Sequence, residues 1–136
     1  MSLPQRIAIT GASGLIGTAL VGHLKSEGHT VQRLVRRAPI AADEVTWDPQ
    51  TGFVDLSALE GVDAIIHLAG APVDDKRWSK KFKAEILNSR LMGTTTIAKA
   101  VAEVKPDVFI SASAVGWYGE SGNRAVVETD RAGDDF

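Results

Sequence analysis

Three glycines at positions 11, 14 and 17 constrain the fold of this chain more than any other feature. They lie in the run A-I-T-G-A-S-G-L-I-G-T-A-L, residues 8–20, which contains no charged residue. Residues 6–10 form a short β-branched run, which is typical of a buried parallel strand. The apolar residues from Leu15 to Leu24 then recur at helical spacing, and Gly28 stands where a C-terminal cap belongs. This order predicts a strand, a tight turn and a helix.

Such a corner is suited to binding an anion. The first backbone N–H groups of a helix lack internal acceptors, and the helix dipole is positive at that end. In this interpretation Gly11 permits the turn, Gly14 lets a pyrophosphate approach the backbone, and Gly17 lets the helix pack close to the sheet. The spacing T-G-x-x-G-x-x-G therefore favours a dinucleotide site, with an ordinary glycine turn as the alternative.

The rest of the chain alternates between strands and helices. Further strands are predicted at residues 29–35, 45–47, 63–68 and 107–111, and a long helix within residues 77–103. The alternation predicts an α/β fold class, a Rossmann-type doubly wound parallel sheet of about five strands. Ligands of such sheets bind beyond the carboxyl ends of the strands. We therefore expect four parts of the chain at that edge of the sheet: residues 11–17, Arg36, residues 68–70 and residues 111–113.

Composition narrows the function classes. A length of 136 residues predicts one domain, residues 1–136. The formal net charge of −2 produces no positive electrostatic potential that would attract nucleic acid or anionic lipid. Without cysteine the chain has no disulfide, thiolate nucleophile or zinc–thiolate site, and a cytoplasmic location is expected. Residues 7–24 hold too many glycines and hydroxyl groups for a membrane span. We therefore expect neither nucleic acid, membrane nor metal as a partner.

The end of the second predicted strand indicates which dinucleotide is bound. In NAD-binding units an acidic residue about 20 positions past the last glycine binds the ribose 2′-hydroxyl, whereas an arginine there accommodates a 2′-phosphate. The sequence at that point reads Val35-Arg36-Arg37, with no acid. A guanidinium can contact phosphate at two points, so NADP is favoured over NAD. The alternative is that the two arginines only form a solvated strand end.

Several motifs in order resemble a known family. T-G-A-S-G-L-I-G at 10–17, H-L-A-G at 67–70 and S-A-S-A-V-G-W-Y-G at 111–119 resemble the N-terminal part of an extended short-chain dehydrogenase/reductase, in the NAD-dependent epimerase/dehydratase family. V-T-W-D-P at 45–49, R-W at 77–78 and E-I-L-N-S-R at 85–90 resemble its atypical branch, labelled nucleoside-diphosphate-sugar epimerase or SulA-like cell-division inhibitor.

The resemblance implies a set of cofactor-binding residues. The amides of Ser13, Leu15 and Ile16 would hold the pyrophosphate, and Arg36, with Arg37 beside it, would face the adenosine 2′-phosphate. The residues that would line or adjoin the cofactor are Leu68, Ala69, Gly70, Glu85 and Arg90. For Glu85 and Arg90 an ordinary charged helix face is an equal alternative. Trp78 and Phe82 are expected in the core, and His67 as a hydrogen-bonded residue at the strand end.

Catalytic residues are harder to assign. The family resemblance implies that hydride transfer depends on a Ser-Tyr-Lys arrangement. In it the tyrosine is the acid/base, the lysine lowers the tyrosine pKa, and the serine orients the substrate oxygen. Ser113 matches the serine, with a structural strand-end serine as the alternative. The single tyrosine, Tyr118, is followed four residues later by Gly122 rather than lysine, and is expected to pack a loop with Trp117.

The resemblance places the Tyr-x-x-x-Lys pair just past Phe136. We therefore expect a partial version of a longer protein, truncated before a sixth strand and the C-terminal substrate domain. The leading hypothesis is an NADP-binding domain of an epimerase or oxidoreductase acting on a nucleotide sugar or other small polar substrate. The alternative is a non-catalytic NADP(H)-binding redox sensor or regulator, with cell division as the process that the family label suggests. A homodimer is a further expectation.

Overall fold

The computed structural model describes residues 3–134. Its strands are β1 (Arg6–Thr10), β2 (Thr30–Val35), β3 (Glu44–Asp48), β4 (Phe53–Val54), β5 (Ala64–His67) and β6 (Val108–Ser111). Its helices are α1 (Leu15–Ser26) and α2 (Lys80–Val104), with short 3-10 turns at Leu56–Leu59 and Val115–Tyr118. β1 is found with the bounds that its sequence predicted.

The strands form a single sheet in the order β4-β3-β2-β1-β5-β6. β1 lies at the centre and pairs in parallel with β2 and β5, which in turn pair in parallel with β3 and β6. β4, which the sequence pattern did not predict, pairs antiparallel with β3. The five parallel strands confirm the predicted fold class, and their carboxyl ends form one edge of the sheet.

Each face of the sheet carries its own core. On one face, buried side chains that include Leu34, Trp47 and Ile65 pack with Ile97 and Ala100 of α2. On the other face, a second cluster packs against partly buried α1 residues; its buried members are Ile7, Ile9, Val31, Ala64 and Ile66. Because successive strand residues point to opposite faces, β1 supplies both cores. The sheet is doubly wound, as predicted.

The helix ends follow local capping. Gly28, with φ of +87°, donates its N–H to the Lys25 carbonyl just past α1, as expected for a glycine at this position. α2 begins at Lys80 because the Ser79 hydroxyl accepts the Phe82 N–H. Phe82 is buried as predicted. Trp78 is not: it precedes the helix, is 49% exposed, and donates its indole N–H to the Val73 carbonyl.

Strand β6 differs from its neighbours in exposure. Val108, Phe109 and Ile110 are all exposed, so both of its faces present apolar side chains to solvent. Across residues 3–134, neither α1 nor α2 has the length and apolar character needed to cross a membrane.

Candidate dinucleotide-binding site

A cleft of about 860 Å³ lies beyond the carboxyl ends of the central strands. Its volume falls in the range of roughly 300–1,000 Å³ that is usual for small-molecule sites. One side is the glycine corner, residues 11–14, and the facing loop, residues 68–72, forms the opposite side. The strand ends of β2 and β3 close it with charged and aromatic residues, among them Arg33, Arg36, Arg37, Glu44 and Trp47.

The glycine corner is held by close backbone contacts. Gly11 has φ of +71°, and a Cβ placed on it would lie 2.8 Å from the carbonyl carbon of Leu68. A Cβ on Gly17 would lie 2.1 Å from the Gly11 oxygen. Gly17 therefore lets α1 pack against its own turn, whereas Gly11 is the glycine pressed against the chain leaving β5. The close helix packing predicted for Gly17 is made against the turn that follows β1, and Gly11 makes a second close approach that was not predicted, to the Leu68–Ala69 peptide.

The start of α1 leaves backbone donors available. Within residues 3–134, the N–H groups of Ser13, Leu15 and Ile16 have no protein acceptor, whereas Gly14 donates to the Gly11 carbonyl at 3.1 Å. The N-cap, Gly14, supplies no side-chain acceptor, and the first turn of α1 contains no acidic residue. A pyrophosphate would satisfy these donors and meet the positive end of the helix dipole. The backbone here fits the group that the sequence predicted.

The facing loop is fixed from behind by α2. The Ser89 hydroxyl accepts the Ala71 N–H at 3.1 Å, and the Arg90 guanidinium donates to the Ala71 carbonyl at 3.1 Å. Arg90 also lies flat against Gly70, where a Cβ would be 3.4 Å from its guanidinium carbon. Leu68, Ala69, Gly70 and Glu85 line the cleft, whereas Arg90 does not. Arg90 thus supports the loop from outside the cleft.

The two predicted arginines have different surroundings. Arg37 makes a two-point contact with Glu44, whose side chain is 2% exposed and also accepts the Ile40 N–H. The Arg37 hydrogen bond, followed by the Ile40 amide, lowers the pKa of Glu44 from 4.5 to about 2. Arg36 has no ion pair or side-chain hydrogen bond within residues 3–134. Arg36 is therefore available to a ligand, and Arg37 is already paired.

A second ion pair supports the same side of the cleft. Arg33 contacts Asp43 through its Nε and Nη2 atoms at 3.0 and 2.7 Å, and Lys25 reaches the same carboxylate at 3.0 Å. These contacts, the Arg33 hydrogen bond first, hold the pKa of Asp43 well below its usual range. Together with the Arg37–Glu44 contact they fix residues 36–43, the segment that carries Arg36.

The candidate catalytic residues lie outside this cleft. Ser113 is exposed just after β6, and Tyr118 is partly buried in the second 3-10 turn; neither is among the residues that line the cleft. No hydrogen bond joins them within the described residues. The Trp117 carbonyl accepts the Gly133 N–H at 2.8 Å, so the Tyr118 turn packs against the end of the described chain. Residues 3–134 also contain no cluster of three potential metal ligands.

Several residues of the cleft were not predicted from the sequence. Trp47, Pro49, Gln50 and Ser89 line it, and Glu44 organises it. Trp47 and Pro49 belong to the V-T-W-D-P run, which forms the end of β3 and the residue after it at the same edge of the sheet. The rule that ligands bind beyond the carboxyl ends of strands could have found them. Glu44 gave no such signal, because a carboxylate at a strand start is normally on the surface.

Comparison with known proteins follows this geometry. The family model of the NAD-dependent epimerase/dehydratase family matches residues 7–134. The chain belongs to this family. The match covers the glycine corner, the facing loop and the segment that carries Arg36, so the cleft lies entirely within it. For members of this family a nicotinamide dinucleotide is the expected cofactor, and its nicotinamide ring supplies hydride transfer when bound.

Curated relatives and solved structures agree with this assignment. An epimerase family protein of Mycobacterium leprae is 45% identical over 130 residues, which cover 96% of this chain and 42% of the relative. Bovine epimerase family protein SDR39U1 is 37% identical over 97% of this chain and 44% of its own length. The chain therefore spans less than half the length of these relatives.

Among solved structures, a nucleoside-diphosphate sugar epimerase from Corynebacterium glutamicum matches with a TM-score of 0.82 and 38% identity, covering 98% of this chain and 28% of that one. Human SDR39U1 with NADPH matches with a TM-score of 0.79 and 31% identity over 96% of this chain and 43% of that one. MoeE5 in complex with UDP-glucose and NAD matches with a TM-score of 0.75 and 25% identity over 93% of this chain and 42% of that one. The human structure holds NADPH and the MoeE5 structure holds NAD, so these two support a nicotinamide dinucleotide as cofactor and differ in which one they hold.

Proposed function

We propose that this chain is the NADP-binding part of an epimerase or oxidoreductase of the extended short-chain dehydrogenase/reductase type, acting on a nucleotide sugar or another small polar substrate. The observation that carries the proposal is the contrast between Arg36 and the acids of the cleft. Arg36 is a cation at the end of β2 with no protein partner in residues 3–134.

Among residues 3–134, no carboxylate at this end of the cleft is available to a ribose diol. Glu44 is the acid there, and both of its oxygens are occupied: Oε1 by Arg37, Oε2 by Arg37 and the Ile40 N–H. The other acid lining the cleft, Glu85, stands on α2 beside the facing loop. NAD selection usually depends on a free acid at the end of the second strand. A 2′-phosphate fits Arg36 better than a hydroxyl pair fits this arrangement.

The site residues divide into three groups in this proposal. The amides of Ser13, Leu15 and Ile16 bind the pyrophosphate, Arg36 binds the 2′-phosphate, and the facing loop packs against the cofactor. Arg37 compensates the negative charge of the Glu44 carboxylate and fixes the backbone that carries Arg36. Ser113, exposed just after β6, is proposed to orient a substrate oxygen. Tyr118 is assigned no proton transfer, because Gly122 stands where the Tyr-x-x-x-Lys spacing requires a lysine.

Isothermal titration calorimetry of the full-length protein with NADPH and NADH tests the cofactor preference. We expect tighter binding of NADPH, and an Arg36→Gln variant should lose about tenfold to 100-fold in NADPH affinity while NADH affinity changes little. Arg131→Gln, a change of the same type at an exposed arginine away from the cleft, is the matched control. Equal affinities in the unmodified protein, or an unaltered NADPH affinity in R36Q, would rule the preference out.

The regulatory alternative shares the same binding site and differs in turnover. Residues 3–134 are compatible with it, because Tyr118 lies outside the cleft and is followed by Gly122 rather than by a lysine at the Tyr-x-x-x-Lys spacing. Incubation of the full-length protein with NADP⁺ or NADPH and a panel of sugar nucleotides and carbonyl compounds separates the two. Cofactor-dependent conversion of any member identifies an enzyme, whereas tight NADPH binding without conversion supports a sensor.

A further inference from the structure

A buried polar network lies directly behind the cleft, where β1 and β5 end side by side. Thr10 and His67 are paired in the sheet register and are 0% and 3% exposed. The Thr10 hydroxyl lies 2.7 Å from the imidazole Nδ1, and Thr94 of α2 lies 3.3 Å from Nε2. Polar groups at this depth are costly unless they are hydrogen-bonded, so the proton positions in this network are constrained.

The hydrogen bonds of Thr10 determine where the protons lie. Its hydroxyl accepts the backbone N–H of Ala69 and shares that of Leu68 with the Thr10 carbonyl, each at 3.2 Å. A hydroxyl has two acceptor lone pairs and one proton, so its remaining bond must be a donation. That donation goes to His67 Nδ1, which must therefore carry a lone pair. The histidine proton is then on Nε2 and faces the Thr94 hydroxyl.

The surroundings of His67 favour its neutral form. Each element packed on it presents an uncharged residue: Trp47 of β3 meets it edge-on with ring centres 6.1 Å apart, Gly93 and Thr94 contact it from α2, and Ser111 of β6 lies opposite in register. Burial is the single cause that lowers the His67 pKa, and no charged group contributes. Protonation of Nδ1 is therefore opposed both by burial and by the loss of the acceptor that Thr10 requires.

We propose that His67 is a positioning residue for the dinucleotide, a role that rests on the proposed function. In its Nε2–H form it holds the Thr10 hydroxyl so that both lone pairs face the amides of Leu68 and Ala69. The peptide that joins Leu68 to Ala69 lies against Gly11, so the bond keeps the facing loop and the glycine corner at a fixed separation. Protonation of His67 turns the Thr10 hydroxyl into an acceptor for the ring, so the hydroxyl loses one of its two loop amides; Leu68 keeps its bond to the Thr10 carbonyl.

The tautomer can be measured without any ligand. Nitrogen-15 NMR of the full-length protein should show a pyridine-type His67 Nδ1 and a pyrrole-type Nε2 at neutral pH. On acidification, the amide resonances of Leu68 and Ala69 should shift with the same midpoint as the His67 ring. A protonated Nδ1 at neutral pH, or loop amides that do not follow the ring, would overturn the proposal.

Binding provides the second readout. NADPH affinity of the unmodified protein should weaken about threefold to tenfold as the pH falls from about 8 to the lowest pH at which the fold is retained. In a His67→Asn variant the amide oxygen replaces Nδ1 as the acceptor and does not titrate. Its affinity should lack the part of the pH dependence that follows the ring. The same substitution at the exposed His23 is the matched control and should keep the full dependence.

The outcomes separate this inference from the function on which it rests. Dinucleotide binding with the same pH profile in H67N as in the unmodified protein would refute the role of His67 and leave the cofactor site standing. Absence of dinucleotide binding at any pH would refute both, while the NMR titration would still report the network. If H67N does not fold, Thr10→Ser and Thr10→Val provide the comparison: the serine should preserve affinity and the loop-amide titration, and the valine should lose both.

Discussion

Arg37 and Glu44 face each other across the β2–β3 connection, with Nη1–Oε2 and Nη2–Oε1 distances of 2.8 and 2.7 Å. This two-point contact brings the Glu44 carboxylate to the end of β2, where the neighbouring residues in sequence are Arg36 and Arg37. Because Arg37 is paired with Glu44, it is not available to a ligand. The contact therefore makes Arg37 a structural cation and leaves Arg36 as the neighbour that is proposed to bind the ligand. Its own strength can be measured through the acid stability of the fold.

Glu44→Gln should change how stability depends on acid. The folded-state pKa of Glu44 is lowered from 4.5 to about 2, so its carboxylate stabilises the fold above pH 4.5, and this contribution is lost as the pH falls towards 2. The variant should be less stable at neutral pH and show a shallower loss of stability in that window. Thermal unfolding monitored by circular dichroism across it provides the measurement. Glu103→Gln, at an exposed position of α2, should retain the steep profile.

Gly17→Ala should disrupt the glycine corner. Its Cβ would lie 2.1 Å from the Gly11 oxygen, a backbone atom that cannot move without shifting the turn. We expect a loss of about 1–3 kcal/mol in the free energy of unfolding and loss of dinucleotide binding. Gly22→Ala, in the same helix with nothing within 4 Å, should instead gain about 0.5–1 kcal/mol. Urea unfolding of both variants checks the contrast, and a neutral Gly17→Ala would contradict the observed packing.

Arg90→Met should act on both dinucleotides alike. The Arg90 guanidinium holds the Ala71 carbonyl and lies against Gly70, but it is not part of the cleft surface. Its removal should cost about 1 kcal/mol of stability and weaken NADPH and NADH binding by similar factors. Calorimetric titration of both cofactors distinguishes this from Arg36→Gln, where NADPH alone should be affected. A selective loss of NADPH affinity in R90M would mean that Arg90 contacts the 2′-phosphate itself.

His67 should make stability depend on pH near neutrality. Its pKa in the folded state lies below the ordinary 6.5, so the unfolded chain binds the proton first as the pH falls. The folded protein should therefore lose stability as the pH drops below 6.5, down to the folded-state pKa. H67N should show a flatter profile over this interval by chemical denaturation. An identical slope in both proteins would show that His67 does not titrate there.

The central features of the fold were predictable because their signals are local and redundant. β1, the glycine corner and α1 follow one another with a continuous apolar run, three spaced glycines and a capping glycine, and each signal supports the same arrangement. The start of α2 was placed three residues early because the Trp78-Phe82-Ile86 spacing suggested a continuous helix. The Ser79 cap interrupts that spacing, and β4 was missed because a two-residue antiparallel pairing leaves no periodic pattern.

The backbone donors of the cleft were easier to predict than the ion pairs of its charged side chains. The corner predicts free backbone amides, and the family resemblance places them at positions 13, 15 and 16. The choice between Arg36 and Arg37 depends instead on which of two adjacent side chains reaches a carboxylate seven residues from Arg37. The sequence predicts Glu44 to be a surface residue, and its carboxylate can be buried only because Arg33 and Arg37 compensate its charge. The Thr10–His67 bond joins residues 57 positions apart, a distance at which sequence patterns give no information.

The contact of Gly11 with the Leu68–Ala69 peptide has a practical consequence for anyone who redesigns the coenzyme preference of this protein. Because the two sides of the cleft touch there through main-chain atoms, neither can be randomised without disturbing the other, and a mutant library targeted at that point would yield mostly misfolded clones. Residues 36–43 are held mainly through side chains, by the contacts of Arg37 with Glu44 and of Asp43 with Arg33. Combinatorial changes there, made together with Glu44, offer the more productive route to altered selectivity.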